Sequence, residues 1–403
     1  MNIKQITDNL LCSGCGTCNT ICGHNAISMK RTHTMKLLYA DIDTTKCTDC
    51  GLCLKMCPSV QVLERKEKIT RELIIGDIKA CYVGRTLDKV IFANAQSGGM
   101  VTTILTYLFS NKLIDAAVSC RMEYGWPVPS MHYSILTNID GLKRNQKSCY
   151  TQIDIVSALK ETSQFKSVAV VGVPCHIQGI SNLMSLKQYS NITYRIGLVC
   201  DRTYCDLYMD AIMFGIKPLQ GEVSINYRRK DFTYKAKYYS YQQAPTVITN
   251  KEGEMVIIPN SKRMFLKDYF TVPKCKICWD KLNTQADIVL GDPWGLKDKY
   301  DEMKGDSVVI ARSEKAIQLI EDMHSANHIK LLSVSIEEVA KGQLIDQRVS
   351  DIRKCDWEKK RVAWNKSESL TREKYISQVV KRYRLVSMKS KVYSILSHIK
   401  HLK

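Results

Sequence analysis

The sequence predicts three parts in order: an α+β cysteine-rich unit, an α/β domain and a basic helical tail. Three observations carry that division. Eight of the 17 cysteines repeat one close spacing within residues 12–57, Val-rich apolar runs alternate with helical patterns from about 81 to 345, and no acidic residue occurs after Glu373. The expected boundaries are 1–62 for the cysteine unit, 63–80 for a charged linker, 81–345 for the α/β domain and 346–403 for a basic extension.

The first cysteine run is Cys12, Cys15, Cys18 and Cys22, and the second is Cys47, Cys50, Cys53 and Cys57, with Pro58 behind it. This C-x2-C-x2-C-x3-C spacing wraps cubane 4Fe-4S clusters in bacterial two-cluster ferredoxins, where the fourth cysteine of each run ligates the other cluster. The expected sets are therefore Cys12, Cys15, Cys18 and Cys57, and Cys47, Cys50, Cys53 and Cys22. Gly14, Gly16 and Gly51 let the backbone bend close to inorganic sulfide. A structural zinc site would want two CxxC pairs with a longer spacer, and a disulfide framework would want a secretory signal. Neither fits, so the unit reads as a ferredoxin-like electron carrier.

A chain of 403 residues is long enough to add an α/β core to such a unit. No run approaches the roughly 18 consecutive apolar residues of a membrane span, and no apolar signal core precedes Cys12. The expected compartment is a reducing cytoplasm. The formal charge of +19 suits an anionic small molecule, an acidic protein partner or a membrane surface. No nucleic-acid-binding motif accompanies it, so no nucleic acid partner is expected.

In the α/β part, SVAVVGVP (167–174) reads as a buried parallel strand. A helical pattern follows, then the strand-like ITYRIGLVC (192–200) and, later, ADIVLGD (286–292). Cys175 and Cys200 stand just past the ends of the first two strands. A βαβ unit lays such strands parallel, so these cysteines meet at the edge where open α/β sheets bind ligands. Cys275 and Cys278 add a CxxC pair shortly before the third strand. Four thiols there suit zinc or an iron–sulfur cluster, and the neighbouring electron carrier tips the reading to iron–sulfur. Cys205 is an alternative to Cys200. His176 could touch a cofactor or be a satisfied core histidine. Cys81, Cys120, Cys149 and Cys355 lack metal spacing and read as free thiols.

Gly98 and Gly99 precede a helix expected from about Met100, with Val101, Leu105 and Leu108 on one face. Small residues at a helix N-terminus expose N–H groups that suit a pyrophosphate, and Ser97, Thr102 and Thr103 add hydroxyls. A GG pair is also what an ordinary tight turn uses.

Four segments in order, QSGGMVTTIL (96–105), GVPCHIQGI (172–180), LVCDRTYC (198–205) and CKICWDKLNTQADIVLGDPWG (275–295), resemble the family of coenzyme F420 hydrogenase/dehydrogenase beta subunits. The resemblance covers roughly residues 1–345, since many members carry an N-terminal two-cluster domain. It implies FAD, with Ser97, Gly98, Gly99 and Thr102 at the flavin, and a third 4Fe-4S cluster on Cys175, Cys200, Cys275 and Cys278. One departure stands out: the family's Ser-Lys-Tyr-x-Gln stretch is KSCYTQ (147–152) here, with Cys149 in the Lys position. Specificity for the deazaflavin is therefore less firmly implied than the cofactors. Some chains resembling this one sit among polysaccharide-biosynthesis functions.

The expected function is a flavin- and iron–sulfur-dependent oxidoreductase linking a ferredoxin-type donor to a two-electron acceptor, coenzyme F420 or another small anionic substrate. The alternative is an electron-transfer subunit of a larger redox complex, with no substrate site of its own. Residues 351–403 hold 15 basic residues against 5 acidic. Val379, Tyr383, Val386, Tyr393, Leu396 and Ile399 recur there at helical intervals. Such a tail is commonly solvated, and its acid-free polar face also suits peripheral contact with the inner face of a membrane.

Overall fold

The computed structural model describes residues 1–216, 219–228, 245–296 and 305–400, with side chains of the last helix described to Met388. The chain begins with a small unit in which β1 (Ile27–Arg31) and β2 (Leu38–Ile42) pair antiparallel between two short cysteine-bearing helices, Thr17–Ile21 and Leu52–Lys55. Residues 63–80, expected as a linker, are folded. They include most of the Val62–Glu67 helix and all of Arg71–Ile75, and Ile69 and Ile74 are buried.

The α/β part contributes β3 (Ala80–Thr86), β4 (Ala116–Glu123), β5 (Ser130–Leu136), β6 (Val168–Gly172) and β7 (Ile192–Leu198). A small antiparallel sheet of β8 (Val223–Asn226), β9 (Thr246–Asn250) and β10 (Met255–Ile258) is inserted next. Three strands complete the main sheet: β11 (Ile288–Gly291), β12 (Ser307–Ala311) and β13 (Ile329–Ser333). Its order is β13-β3-β12-β11-β7-β6-β4-β5.

The three strands read from the sequence, β6, β7 and β11, lie side by side and parallel, with β4 parallel on the far side of β6. The flanks β5, β12, β3 and β13 pair antiparallel. Both faces of the middle are covered, which is why its strands are apolar throughout. Val168 and Val170 enter one core cluster while Ala169 and Val171 enter the other, the alternation a strand imposes. The Met100–Ser110 and Glu314–Ser325 helices cover the second face.

The first face carries the Pro174–Leu183 helix, and the cysteine unit docks on it. A Cβ at Gly179 would lie 2.0 Å from the Thr17 hydroxyl oxygen, so only glycine admits that approach. Asn182 donates to the carbonyl of Met56 at 3.0 Å, beside Cys57.

The C-terminal region is not a solvated tail through its first half. Trp357 joins the core of the cysteine unit together with Ile277, and Tyr375, Ile376, Val379 and Val380 are buried in the main core. Glu368 accepts from the backbone N–H groups of Thr34 and Met35 at 2.9 and 3.1 Å. Tyr383 lies 3.2 Å from the Ser261 hydroxyl, whereas Val386 is exposed. The side chains of Tyr393, Leu396 and Ile399 lie outside those described.

Candidate metal centres

In the N-terminal unit, Gly16 and Gly51 stand at the starts of the two cysteine helices with φ of 91° and 76°, turning each loop back on itself. Cys57 of the second run lies within electrostatic reach of Cys12, Cys15 and Cys18. Cys22 of the first run lies similarly near Cys53, which also feels Cys50. Cys47 lies 4.0 Å from the Asn2 amide nitrogen. The fourth cysteine of each run thus lies near cysteines of the other run.

Backbone N–H groups point at the sulfurs, Ala26 to Cys22, Asp49 to Cys47 and Ser59 to Cys57, each at 3.4 Å. Such donors favour thiolate sulfur. Burial opposes it, pushing the Cys12 thiol up to about 11 and raising Cys18 and Cys57 as well. A buried thiol with donors aimed at it fits a metal-bound sulfur, because coordination removes the proton.

The strands β6 and β7 run parallel, as the βαβ argument requires. Gly172 pairs with Gly197 in register, so the ends of β6 and β7 lie together, with β11 beside them. Cys175 occupies the first turn of the Pro174–Leu183 helix, Cys200 follows β7, and Cys275 sits in the turn Pro273–Lys276. Cys200 lies within electrostatic reach of Cys175, Cys275 and Cys278. The Cys275 sulfur is 3.5 Å from the Thr203 hydroxyl. Burial pushes Cys175 up to about 12 and raises Cys200 and Cys278 as well. Cys205 is placed elsewhere, fully buried near Asp206 and Glu368. Among the described residues no three ligating side chains close on one point suited to a single ion. The grouping therefore rests on chain topology and mutual electrostatics.

Lys274 is buried between the first group and the third. Burial works against its ammonium, but Cys278, Cys175, Cys275 and Cys15 outweigh that and hold its pKa above the ordinary lysine range. The same charge reaches Cys12 and Cys57. His176 is also buried, its Nδ1 has no hydrogen-bond partner, and burial lowers its pKa to about 4. An orphaned ring nitrogen next to Cys175 fits a group bound there.

Gln152 fastens the two units together. Its amide donates to the carbonyls of Ser13 and Leu38 at 2.9 and 3.1 Å and accepts from the Leu38 N–H at 2.9 Å. Gln152→Ala is expected to leave these buried groups unpaired and to cost about 3 kcal/mol. A urea midpoint equal to that of the unaltered protein would contradict this. Lys274 and Gln152 escaped the sequence reading, although Gln152 ends the quoted KSCYTQ stretch and Lys274 directly precedes the quoted segment that begins at Cys275. The thiols of Cys120 and Cys149, read singly, lie within electrostatic reach of each other.

The glycine pair is largely explained by packing. A Cβ on Gly98 would fall 2.6 Å from the carbonyl oxygen of Gly84, and Gly99 has φ of 76°. The Ser97 hydroxyl donates to the carbonyl of Asp306, and the Gly98 N–H donates to the Ser307 hydroxyl at 3.1 Å. What fits a phosphate is the start of the 11-residue Met100–Ser110 helix, which has no side-chain cap and carries half-buried Thr102.

Comparison with known proteins places these features. Residues 81–160 and 165–337 match the N-terminal and C-terminal models of the coenzyme F420 hydrogenase/dehydrogenase beta subunit, and residues 11–60 match a 4Fe-4S dicluster domain. A subunit of the F(420)H(2) dehydrogenase of Methanosarcina mazei is 25% identical over 338 residues, covering 78% of this chain and 88% of that protein. The coenzyme F420-dependent sulfite reductase of Methanocaldococcus jannaschii is 24% identical over 84% of this chain, which spans only 49% of that protein. A chain of the F420-reducing [NiFe] hydrogenase complex from Methanosarcina barkeri shares the fold with a TM-score of 0.52 and 18% identity, over 69% of this chain and 91% of that one.

Proposed function

The chain belongs to the family of coenzyme F420 hydrogenase/dehydrogenase beta subunits and carries a 4Fe-4S dicluster domain, and from that premise we propose an iron–sulfur flavoprotein oxidoreductase. It would link a ferredoxin-type donor or partner redox subunit to coenzyme F420 or another small anionic acceptor. The bound clusters would supply one-electron transfer and FAD the exchange with a two-electron acceptor.

The observation that supports this reading is a succession of three thiol groups, each within electrostatic reach of the next. Cys50 is exposed and belongs with Cys22, Cys47 and Cys53. Cys12, Cys15, Cys18 and Cys57 come next, and Cys15 lies within electrostatic reach of Cys175 in the third group. The docked helices hold that order fixed. For FAD, the uncapped helix at Met100 and the hydroxyl of Thr102 would hold phosphate, with Ser97, Gly98 and Gly99 shaping the turn that presents them.

Iron, sulfide, zinc and flavin content after oxygen-free purification tests the reading. About twelve irons and one FAD per chain are expected. About eight irons with one zinc and no flavin would overturn it.

The relatives named as subunits favour a second reading, an electron-transfer subunit that needs a partner for turnover. A purified chain that is inactive alone and active once a partner is added would select it.

No helix of the described residues is long and apolar enough to cross a membrane. We place the chain in the cytoplasm, with peripheral membrane contact through the end of the last helix. Leu385, Val386 and Met388 are exposed there beside Lys381, Arg382 and Arg384. Because Tyr375 to Val380 are core residues, the informative truncation ends at Arg384. It is expected to lose co-sedimentation with anionic liposomes that the full chain shows, and equal binding by both would remove the membrane role.

A further inference from the structure

The loop bearing Cys275 and Cys278 is held by a residue from far along the chain. Arg348, on the Ile345–Arg353 helix, is buried with 8% of its surface exposed. Its Nε donates to the carbonyl of Cys278 at 3.1 Å, and one terminal nitrogen donates to the carbonyls of Cys275 and Cys278 at 2.8 and 2.7 Å. Ile345, Val349 and Ile352 anchor the helix in the core, so the guanidinium has a fixed base. The position lies beyond residues 165–337, which match the family's C-terminal model.

We infer that Arg348 is a positioning residue of the third metal centre, clamping the Cys275–Cys278 loop and raising the centre's reduction potential by its charge. The inference rests on the reading of Cys175, Cys200, Cys275 and Cys278 as a 4Fe-4S site. A planar fork reaches two carbonyls at once, which a lysine ammonium on a flexible stem does less well. Carbonyls carry only partial negative charge, however, and a buried guanidinium is costly without an opposing one. Asp201 senses Arg348 but is paired with Arg202. Four metal-bound thiolates beside the clamp would supply the missing negative charge. Reduction adds one electron to that centre, and a fixed cation stabilises the more negative state. The clamp thus makes the centre a better electron acceptor.

The test compares the full-length protein with Arg348→Gln and Arg348→Lys, all purified without oxygen. Iron is counted, and each cluster's midpoint potential is followed by electron paramagnetic resonance during a redox titration. Glutamine keeps hydrogen-bond donors without charge, and lysine keeps the charge. In Arg348→Gln the third centre should either shift to a more negative potential or be lost, leaving about eight of about twelve irons. In Arg348→Lys it should be retained near its original potential. Unchanged iron and potential in both variants would overturn the inference. Equal loss in both would reduce Arg348 to packing alone and overturn the charge role. About eight irons in the unaltered protein would instead overturn the third cluster itself, and this inference with it.

Discussion

Cys175→Ser is expected to lower the iron content from about twelve to about eight atoms per chain. It is also expected to cut FAD reduction by reduced ferredoxin to background. Serine is nearly isosteric, but its oxygen is a poor substitute for a soft thiolate. Cys175 lies within electrostatic reach of both Cys275 and Cys278 and of Cys15 in the neighbouring group. Its loss therefore removes a ligand at the point where the third group meets the N-terminal unit. The two N-terminal groups keep all eight of their own cysteines, so their resonance signals should persist. That persistence separates a local ligand loss from general unfolding. Full iron content with normal turnover would take Cys175 out of the metal site.

The second large effect lies at the docking contact. Gly179→Ala puts a Cβ 2.0 Å from the Thr17 hydroxyl oxygen. Of the two other Thr17 rotamers, one turns the methyl into that place and the other gives up the hydroxyl's contact with the Cys15 sulfur. Either Thr17 turns away from Cys15 or one of the two helices, Thr17–Ile21 or Pro174–Leu183, shifts, at a cost of about 1–3 kcal/mol. The Thr17 hydroxyl also lies 3.2 Å from the Cys15 sulfur, so the disturbance reaches the group nearest Cys175. The expected result is a lower urea midpoint and slower electron delivery to FAD, both restored in part by adding Thr17→Ala. A double variant no better than Gly179→Ala alone would place the strain elsewhere.

These effects fall where the sequence was easiest to read. Cysteine spacing is dictated by the shape of a cube and survives any surrounding fold, so the two N-terminal groups were visible directly. The third group needed one added rule, that β6 and β7 run parallel, and the rule held. The antiparallel flank of β3, β12 and β13 carried no comparable signal, since β3 lies far in sequence from β12 and β13, the two strands it pairs with in the finished sheet. Gly98 and Gly99 looked like a cofactor loop because phosphate cradles and tight packing both demand a missing side chain. Only the carbonyl of Gly84 discloses the packing role.

Residues 346–403 misled for a different reason. Their average composition is basic and polar, which describes the exposed side of each helix. It hides Arg348, Trp357, Tyr375 and Val379, the few positions that enter the core. No local pattern tells a buried arginine from a solvated one.

Trp357 and Glu368 also set an order of events. Chain synthesis produces the cysteine unit before Trp357, which completes its core, and before Glu368, which satisfies the Thr34–Met35 turn from more than 330 residues later. Contacts of such long sequence separation form late. The cysteine unit, made long before Trp357 and Glu368, is thus among the last parts of the fold to be finished.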